Sequence, residues 1–181
     1  MRFPNNYQKI AHVIDHLNEF IGKRVAWSAF FIVLITFFIV ILRYGFNWNS
    51  IAWQESVVYF HAILFMLGAA YTLKQDGHVR VDIFYSQFSN KAKALVNISG
   101  TLFFLIPLCL FILFSSSAYV FDAWVNLEGS RETGGLPLLY LLKSVIPLMA
   151  ILLLLQAIAN LLKSIAVLSS SLSSKNKPEI V

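Results

Sequence analysis

Four long stretches without a charged side chain constrain this sequence more than any other feature. Each runs for 18 residues or more without Asp, Glu, Lys or Arg, and they cover residues 25–42, 56–73, 94–121 and 144–162. An α-helix needs about 20 mostly apolar residues to cross a hydrocarbon core roughly 30 Å thick. The stretches lack the in–out alternation of membrane β-barrel strands. They therefore predict four transmembrane helices.

The composition supports this class. Hydrophobic residues make up 58% of the chain and charged residues 13%, whereas a soluble domain has about 25% charged residues. We expect an all-α integral membrane protein with a four-helix transmembrane domain over residues 25–165. The expected spans cover about 25–45, 53–73, 94–121 and 138–162. The third charge-free stretch would reach about 42 Å as a helix, so it should tilt or project from the bilayer.

The distribution of basic residues predicts the orientation. Eleven of the 14 Lys and Arg residues lie in segments 1–24, 74–93 and 163–181, and the other three are Arg43, Arg131 and Lys143. Basic residues concentrate on the cytoplasmic side of membrane proteins. Both termini are therefore expected in the cytoplasm, an N-in/C-in topology. The net charge of +5 is explained by orientation and gives no reason to expect nucleic-acid binding.

The two ends of the chain receive different predictions. Residues 1–24 form an N-terminal cytoplasmic segment, in which apolar residues recur at helical spacing over 7–22. The pattern favours an amphipathic helix that lies in the membrane interface, with Ile14 on its apolar side and Asp15 on its polar side, and that turns into the first span at 22–24. The alternative is a soluble flank. Residues 166–181 are rich in serine and are predicted to be a disordered cytoplasmic tail. Pro107 and Pro147 should bend the third and fourth helices.

His61 is the clearest ionisable residue inside a span. On a helix it shares a face with Phe65, Gly68 and Thr72, and small or polar residues on one face favour packing against protein. A packed, hydrogen-bonded histidine is therefore expected, with proton transfer or haem ligation as alternatives. Bis-histidine haem ligation would need a second intramembrane histidine, and the other three lie outside the spans. Cys109 is the single cysteine, so no internal disulfide or cysteine cluster is possible.

Glu55 opens the second span from the outer side. We hypothesise that it pairs with Arg43, which ends the first span at the same level, or with Lys143 near the start of the fourth span. Such an ion pair would tie the helices together. The sequence contains no nucleophile–base pair, phosphate-binding loop or metal-ligand triad, so no catalytic, metal or substrate-binding residue and no cofactor is predicted.

The stretch "LKQDGHVRVDIF", residues 73–84, resembles a reactive site because Asp76, His78, Arg80 and Asp82 are close together. The orientation places it on the cytoplasmic side between the second and third spans. A metal site would put the Arg80 cation between its ligands, which repels a metal ion. We interpret the stretch as a structural connector, in which Gly77 turns the chain and Asp82 caps a short helix.

Several motifs resemble the small, DctQ-type membrane subunit of tripartite ATP-independent periplasmic (TRAP) transporters. They are "RYGFNWNSIAWQE" (43–55), "LGAAYTLKQDGHVRVDIF" (67–84) and "GLP" (135–137), in that order. The residues that carry the resemblance are Arg43, Tyr44, Trp53, Glu55, Gly68, His78, Arg80, Asp82 and Pro137. The chain departs from the family pattern at His61 and at Lys143 in the segment after Pro137.

The resemblance implies a non-enzymatic scaffold subunit in the bacterial cytoplasmic (inner) membrane. Its expected partners are a large, M-type membrane subunit that imports an organic acid with sodium, a periplasmic substrate-binding protein and membrane lipids. The outer connections would help to dock the binding protein, with candidate contacts at Asp122, Glu128, Arg131 and Glu132. Two alternatives are a four-helix redox or haem protein and a self-sufficient small transporter. The second is disfavoured because the spans carry almost no charge and show no inverted repeat.

Overall fold

The structure, a computed structural model, describes residues 5–77 and 85–175. All regular structure in these residues is helical, which confirms the predicted all-α fold. The helices are α1 (Asn5–Val25), α2 (Trp27–Phe46), α3 (Ile51–Lys74), α4 (Asn90–Gly100), α5 (Ile106–Val125) and α6 (Leu139–Lys175). Four helical segments of the described residues are long and apolar enough to span a membrane: Tyr7–Phe46, Ile51–Lys74, Asn90–Val125 and Leu139–Ser169.

The last helix is the centre of the bundle. Helix α6 packs against α1, α3, α4 and α5, whereas α2 packs mainly against α3. Three alanines on α6, Ala150, Ala157 and Ala159, are completely buried. Such small side chains let neighbouring helices approach closely in a membrane protein. The core therefore follows α6, and α2 lies at the edge of the bundle.

Helix α1 is almost continuous with α2 and is interrupted only by a turn at Ala26. The sequence placed this turn at 22–24. Gly22 instead allows close packing, because a β-carbon there would lie 2.8 Å from Tyr71 Cδ2 and closer still to other atoms of that side chain. The absence of a side chain at Gly22 therefore lets α1 lie directly against α3.

Helix α1 has three distinct faces. Ala11, Ile14, Asp15 and Asn18 are buried in the bundle. Large apolar side chains on a second face are exposed: Ile10, Val13, Leu17 and Phe20. Polar side chains, including His12 and His16, are exposed on a third face. The predicted two-sided pattern placed Asp15 in water and Ile14 with the apolar residues, but both face protein because α6 covers the boundary between the two sides.

A π-helical turn, Thr101–Leu105, joins α4 to α5. The Ile106 N–H bonds to the carbonyl of Thr101, five residues earlier, and Pro107 follows immediately. Proline has no N–H and crowds the carbonyl four residues before it, so the wider turn accommodates it. Pro147 lies inside α6. The two prolines thus sit in different local structures.

Helix α3 ends in a Schellman motif. Asp76 takes the left-handed conformation with φ 58°, and the Gly77 N–H bonds to the Thr72 carbonyl at 3.0 Å. The sequence predicted that Gly77 turns the chain. In the structure Asp76 is the residue that does so. His78, Arg80 and Asp82 lie outside the described residues, so the predicted connector and cap at Asp82 stay predictions.

Helix α6 continues to Lys175, ten residues into the segment predicted to be a disordered tail. Serine and alanine are compatible with a helix, and no proline occurs before Pro178, whose preceding residue is disfavoured in helical conformation. The prediction of disorder is therefore corrected for 166–175. Residues 176–181 lie outside the described part.

Candidate functional site

Polar side chains gather at both ends of the bundle. We call the end where connections 47–50 and 126–138 join the helices the loop end. The opposite end, where α1 begins and α6 ends, is the terminal end. The loop end contains the clearest built site, because a carboxylate from one helix holds the backbone of a distant loop.

Glu55, on the second turn of α3, is the anchor of the loop end. Its Oε2 accepts a hydrogen bond from the Leu136 N–H at 2.6 Å, and its Oε1 accepts one from the Ser130 hydroxyl. Ser130 also donates its N–H to the Leu136 carbonyl at 2.9 Å. Charge-assisted hydrogen bonds are stronger than neutral ones. The Glu55 carboxylate therefore closes the long connection onto α3.

Two glycines make this closure possible. Gly134 has φ +83°, a left-handed conformation that glycine adopts without strain. A β-carbon at Gly135 would lie 2.8 Å from Glu55 Oε1 and closer still to the Ser130 side chain. Glycine is thus needed at 134 for the left-handed turn and at 135 for the close contact with Ser130 and Glu55. Pro137 follows them and lies against Gly129, two residues before α6 begins.

A second cluster at the loop end joins α5 to α6. Lys143 is buried, with 8% of its surface exposed. Its ammonium group forms an ion pair with Glu128 and lies 3.8 Å from the centre of the Tyr119 ring, a cation–π contact. Beside it, Trp124 Nε1 donates to the Ser144 hydroxyl at 2.7 Å. A charge inside an apolar helix is stabilised here by a carboxylate and an aromatic face.

These contacts correct the predicted ion pair of Glu55 with Arg43 or Lys143. Glu55 bonds to Ser130 and Leu136, and Lys143 pairs with Glu128. Arg43 is exposed, with its guanidinium 6.0 Å from the centre of the Tyr44 ring. The prediction failed because the 126–138 loop folds back between α3 and α6 and supplies nearer partners. Sequence position along the helices could not reveal that fold.

The predicted docking residues occupy two environments. Asp122, Arg131 and Glu132 are exposed at the loop end. Glu128 is only partly exposed and is engaged by Lys143, so in the structure it holds the loop. Trp53 is 41% exposed and contacts the Trp48 ring edge-on, with 6.2 Å between ring centres. The exposed surface of the loop end therefore combines charged and aromatic side chains.

The terminal end contains a buried amide network that the sequence reasoning missed. Gln156 on α6 is completely buried. Its Oε1 accepts from Asn18 Nδ2 at 2.8 Å, and its Nε2 donates to Asp15 Oδ1 at 3.0 Å and to Asn160 Oδ1 at 3.1 Å. The signal in the sequence was the pair of neutral amides at 156 and 160 inside an apolar stretch, because a buried amide needs hydrogen-bond partners.

Ion pairs surround this network. Lys163 lies 2.6 Å from Asp15. Burial raises the pKa of Asp15, but hydrogen bonds from Gln156 and Lys163 outweigh it and hold that pKa below its usual range. Glu19 accepts hydrogen bonds from Lys23 at 2.6 Å and from Lys74 at 2.5 Å, and these bonds lower the pKa of Glu19 to about 2. The pair with Lys74 ties α1 to α3.

His61 is exposed near the middle of α3. The described residues of this chain do not supply the expected packing and hydrogen bond, which stay a prediction. The neighbouring helices contact other sides of α3; Phe60, for example, stacks on Phe31 of α2 with 5.6 Å between ring centres. Thr72 donates its hydroxyl to the Gly68 carbonyl at 3.1 Å. Among the described residues, no group of three His, Cys, Asp or Glu side chains is arranged to hold a metal ion.

The fold and its polar clusters define a multi-pass α-helical membrane protein whose charged side chains fasten helices and loops together. Residues 32–167 match the family model described as "Tripartite ATP-independent periplasmic transporters, DctQ component". The match covers more than half of the chain, which therefore belongs to the DctQ family of transporter components. Searches of curated proteins and of solved structures found no match. The family is one of transporter subunits and not of enzymes.

Proposed function

We propose that this chain is the small scaffold subunit of a sodium-coupled TRAP transporter that imports an organic acid. It would bind a large, M-type membrane subunit that carries the transport pathway and stabilise the fixed part against which that subunit moves. The DctQ family match is the observation that carries this proposal. The bacterial cytoplasmic membrane, with both termini on the cytoplasmic side, is the expected location because most basic residues lie at the terminal end.

The polar contacts support a scaffold role. Glu55 is used to hold a loop, and Lys143 is used to pair with Glu128. At the terminal end, Gln156 and Asp15 join α1 to α6. Groups that bind a transported ion or acid must be free to exchange partners, whereas these groups stabilise one arrangement of the helices.

The loop end would help to dock the periplasmic substrate-binding protein. Glu55 fixes the shape of the 126–138 connection, and this connection presents Arg131 and Glu132 to solvent, with Asp122 at the end of α5. Charged side chains on a surface of fixed shape affect association strongly, because complementary charge steers the partner into register. We therefore assign Asp122, Arg131 and Glu132 as contacts and Glu128 as a residue that positions the loop.

Affinity purification of the tagged chain from its native membrane in mild detergent tests the proposed function. We expect a larger multi-span protein to co-purify with it. Reconstitution of both proteins with the binding protein in vesicles should then give organic-acid uptake that depends on a sodium gradient. Recovery of the chain alone, or with a haem absorbance band, would contradict the proposal and favour the redox alternative.

A charge reversal tests the docking surface. Arg131→Glu should raise the concentration of binding protein that gives half-maximal uptake about 10-fold and leave recovery of the membrane complex unchanged. Lys91→Glu is the matched control, since Lys91 is exposed on α4 at the terminal end and the charge change is the same. Identical dependence on binding-protein concentration in both variants would remove Arg131 from the docking surface.

A further inference from the structure

The exposed imidazole of His61 lies at an unusual depth. His61 is ten residues after Ile51, the first residue of α3, which corresponds to about 15 Å along the helix axis. This is halfway through a hydrocarbon core of roughly 30 Å. Its ring contacts Phe65, with 4.5 Å between ring centres, and no described residue forms a hydrogen bond with it.

An imidazole in hydrocarbon is unfavourable unless its nitrogen atoms find hydrogen-bond partners. Ionisable side chains within membrane spans accordingly face protein or water in most membrane proteins. Much of the other exposed surface of this bundle is suited to lipid, because large apolar side chains predominate on it. Examples are Val33 and Phe37 on α2 and Phe111 and Phe114 on α5, which are 57–73% exposed.

The residues around His61 permit close packing of another helix. Val58 and Phe65 flank it on the same face and are 57% and 66% exposed. One turn beyond Phe65, a β-carbon placed on Gly68 would meet nothing within 4 Å. A helix backbone can approach such a glycine closely. This face of α3 therefore combines a hydrogen-bonding group at His61, apolar side chains on either side of it and open space at Gly68.

We propose that Val58, His61, Phe65 and Gly68 form the surface of α3 on which a helix of the large membrane subunit packs, with His61 hydrogen-bonded to a polar group of that helix. The inference rests on the proposed function, which supplies the large membrane subunit as the occupant. The family description supports it because it makes this chain one component of a tripartite transporter. Packing there removes the imidazole from hydrocarbon and fills the space beside Gly68.

Photo-crosslinking in native membranes tests which protein covers this face. A benzophenone side chain is placed at Phe65 or, as the matched control, at Phe114, which is 73% exposed on α5. We expect Phe65→p-benzoylphenylalanine to form an adduct with the large subunit and the control to form none. Adducts at Phe65 with a second copy of this chain or with lipid alone would overturn the inference, as would large-subunit adducts from the control position only.

An association measurement tests the role of the imidazole. His61→Leu should weaken binding of the large subunit roughly three- to fifteenfold, the range of one interhelical hydrogen bond in a membrane, and His61→Gln should weaken it less. The apparent Kd is measured by energy transfer between the two labelled subunits in vesicles. Thr36→Leu on α2 is the control, because Thr36 is exposed near the middle of that span.

The isolated subunit distinguishes this role from a structural one. Because His61 is exposed, His61→Leu should not lower the melting temperature of the subunit alone. If the wild-type chain binds the large subunit and His61→Leu binds it with the same Kd, this inference is overturned but the proposed function is not. Failure of the wild-type chain to bind the large subunit would overturn the proposed function and this inference with it.

Discussion

The polar clusters at the two ends of the bundle hold different things together. At the loop end, the Glu55 carboxylate binds a backbone N–H and a hydroxyl of one connection, so it fixes the shape of a loop. At the terminal end, Gln156 binds Asn18 and Asp15 on another helix, so it fixes the position of α1. The first cluster is partly accessible, whereas Gln156 and Asn18 are almost completely buried.

The comparison distinguishes the surface on which docking is proposed from a buried hydrogen-bond network that holds two helices together. Glu55 holds the 126–138 connection on the side that faces α3, and the side that faces solvent stays exposed. This arrangement suits the docking role proposed for the loop end. A network with no exposed side recognises nothing beyond the chain and acts on stability. Substitutions at the loop end should therefore change transport as well as stability, and substitutions at the terminal end should act through stability alone.

The largest effect is expected at Gly135. Gly135→Ala places a methyl group against Ser130 and Glu55, which should lower the free energy of unfolding by about 3 kcal/mol and abolish docking of the binding protein. Melting temperature in detergent and uptake in vesicles measure the two effects. Gly45→Ala is the control, because a β-carbon at Gly45 meets nothing within 4 Å. Equal behaviour of the two variants would mean that the loop is not closed on Glu55.

A smaller effect should follow Glu55→Gln. Glutamine can still accept from the Leu136 N–H through its carbonyl oxygen, but its NH2 group then replaces the acceptor of the Ser130 hydroxyl and the charge that strengthens both bonds is lost, at a cost of about 2 kcal/mol. Hydrogen exchange at the Leu136 amide should become faster and binding-protein affinity should fall. Glu132→Gln, an exposed carboxylate in the same loop, is expected to leave Leu136 exchange unchanged. Slow exchange at Leu136 in Glu55→Gln would contradict the anchoring role.

At the terminal end, Gln156→Leu should destabilise the chain by about 1 to 2 kcal/mol, because Asn18 loses its buried partner. The double variant Asn18→Leu with Gln156→Leu should recover part of this loss, since no orphaned amide remains at Asn18. Detergent melting measures all three proteins, and uptake normalised to folded protein should stay at the wild-type level. A double variant less stable than Gln156→Leu would argue against the network.

The smallest effect concerns Glu19 and pH. Its pKa is lowered from 4.5 to about 2 in the folded chain, so its ion pairs with Lys23 and Lys74 stabilise the fold above about pH 4.5 and are lost as pH falls toward 2. The difference in melting temperature between wild type and Glu19→Gln should shrink over this interval. Glu19 is partly exposed and solvent weakens its pairs. A difference that stays constant to pH 2 would contradict the assignment.

Much of the architecture follows from local patterns. The charge-free stretches predicted four spans, and four suitable helices are present in the described residues. The partners of Glu55 and Lys143 could not be predicted in this way. Depth along straight helices predicts that Glu55 pairs with Arg43 or Lys143. The actual partners, Ser130, Leu136 and Glu128, belong to a loop whose path depends on Gly134 and Gly135.

The sequence by itself determined the membrane class, the number of spans and the family, because apolar length and ordered motifs are properties of the linear chain. Only the tertiary structure decided that Glu55 closes a loop, that Gln156 is buried and that His61 is exposed. These depend on which helix faces meet, and a helix that is apolar all round contains little information about its neighbours. The physical reason is that packing among similar apolar faces is selected by small residues and a few polar contacts, such as Gly22 and Gln156.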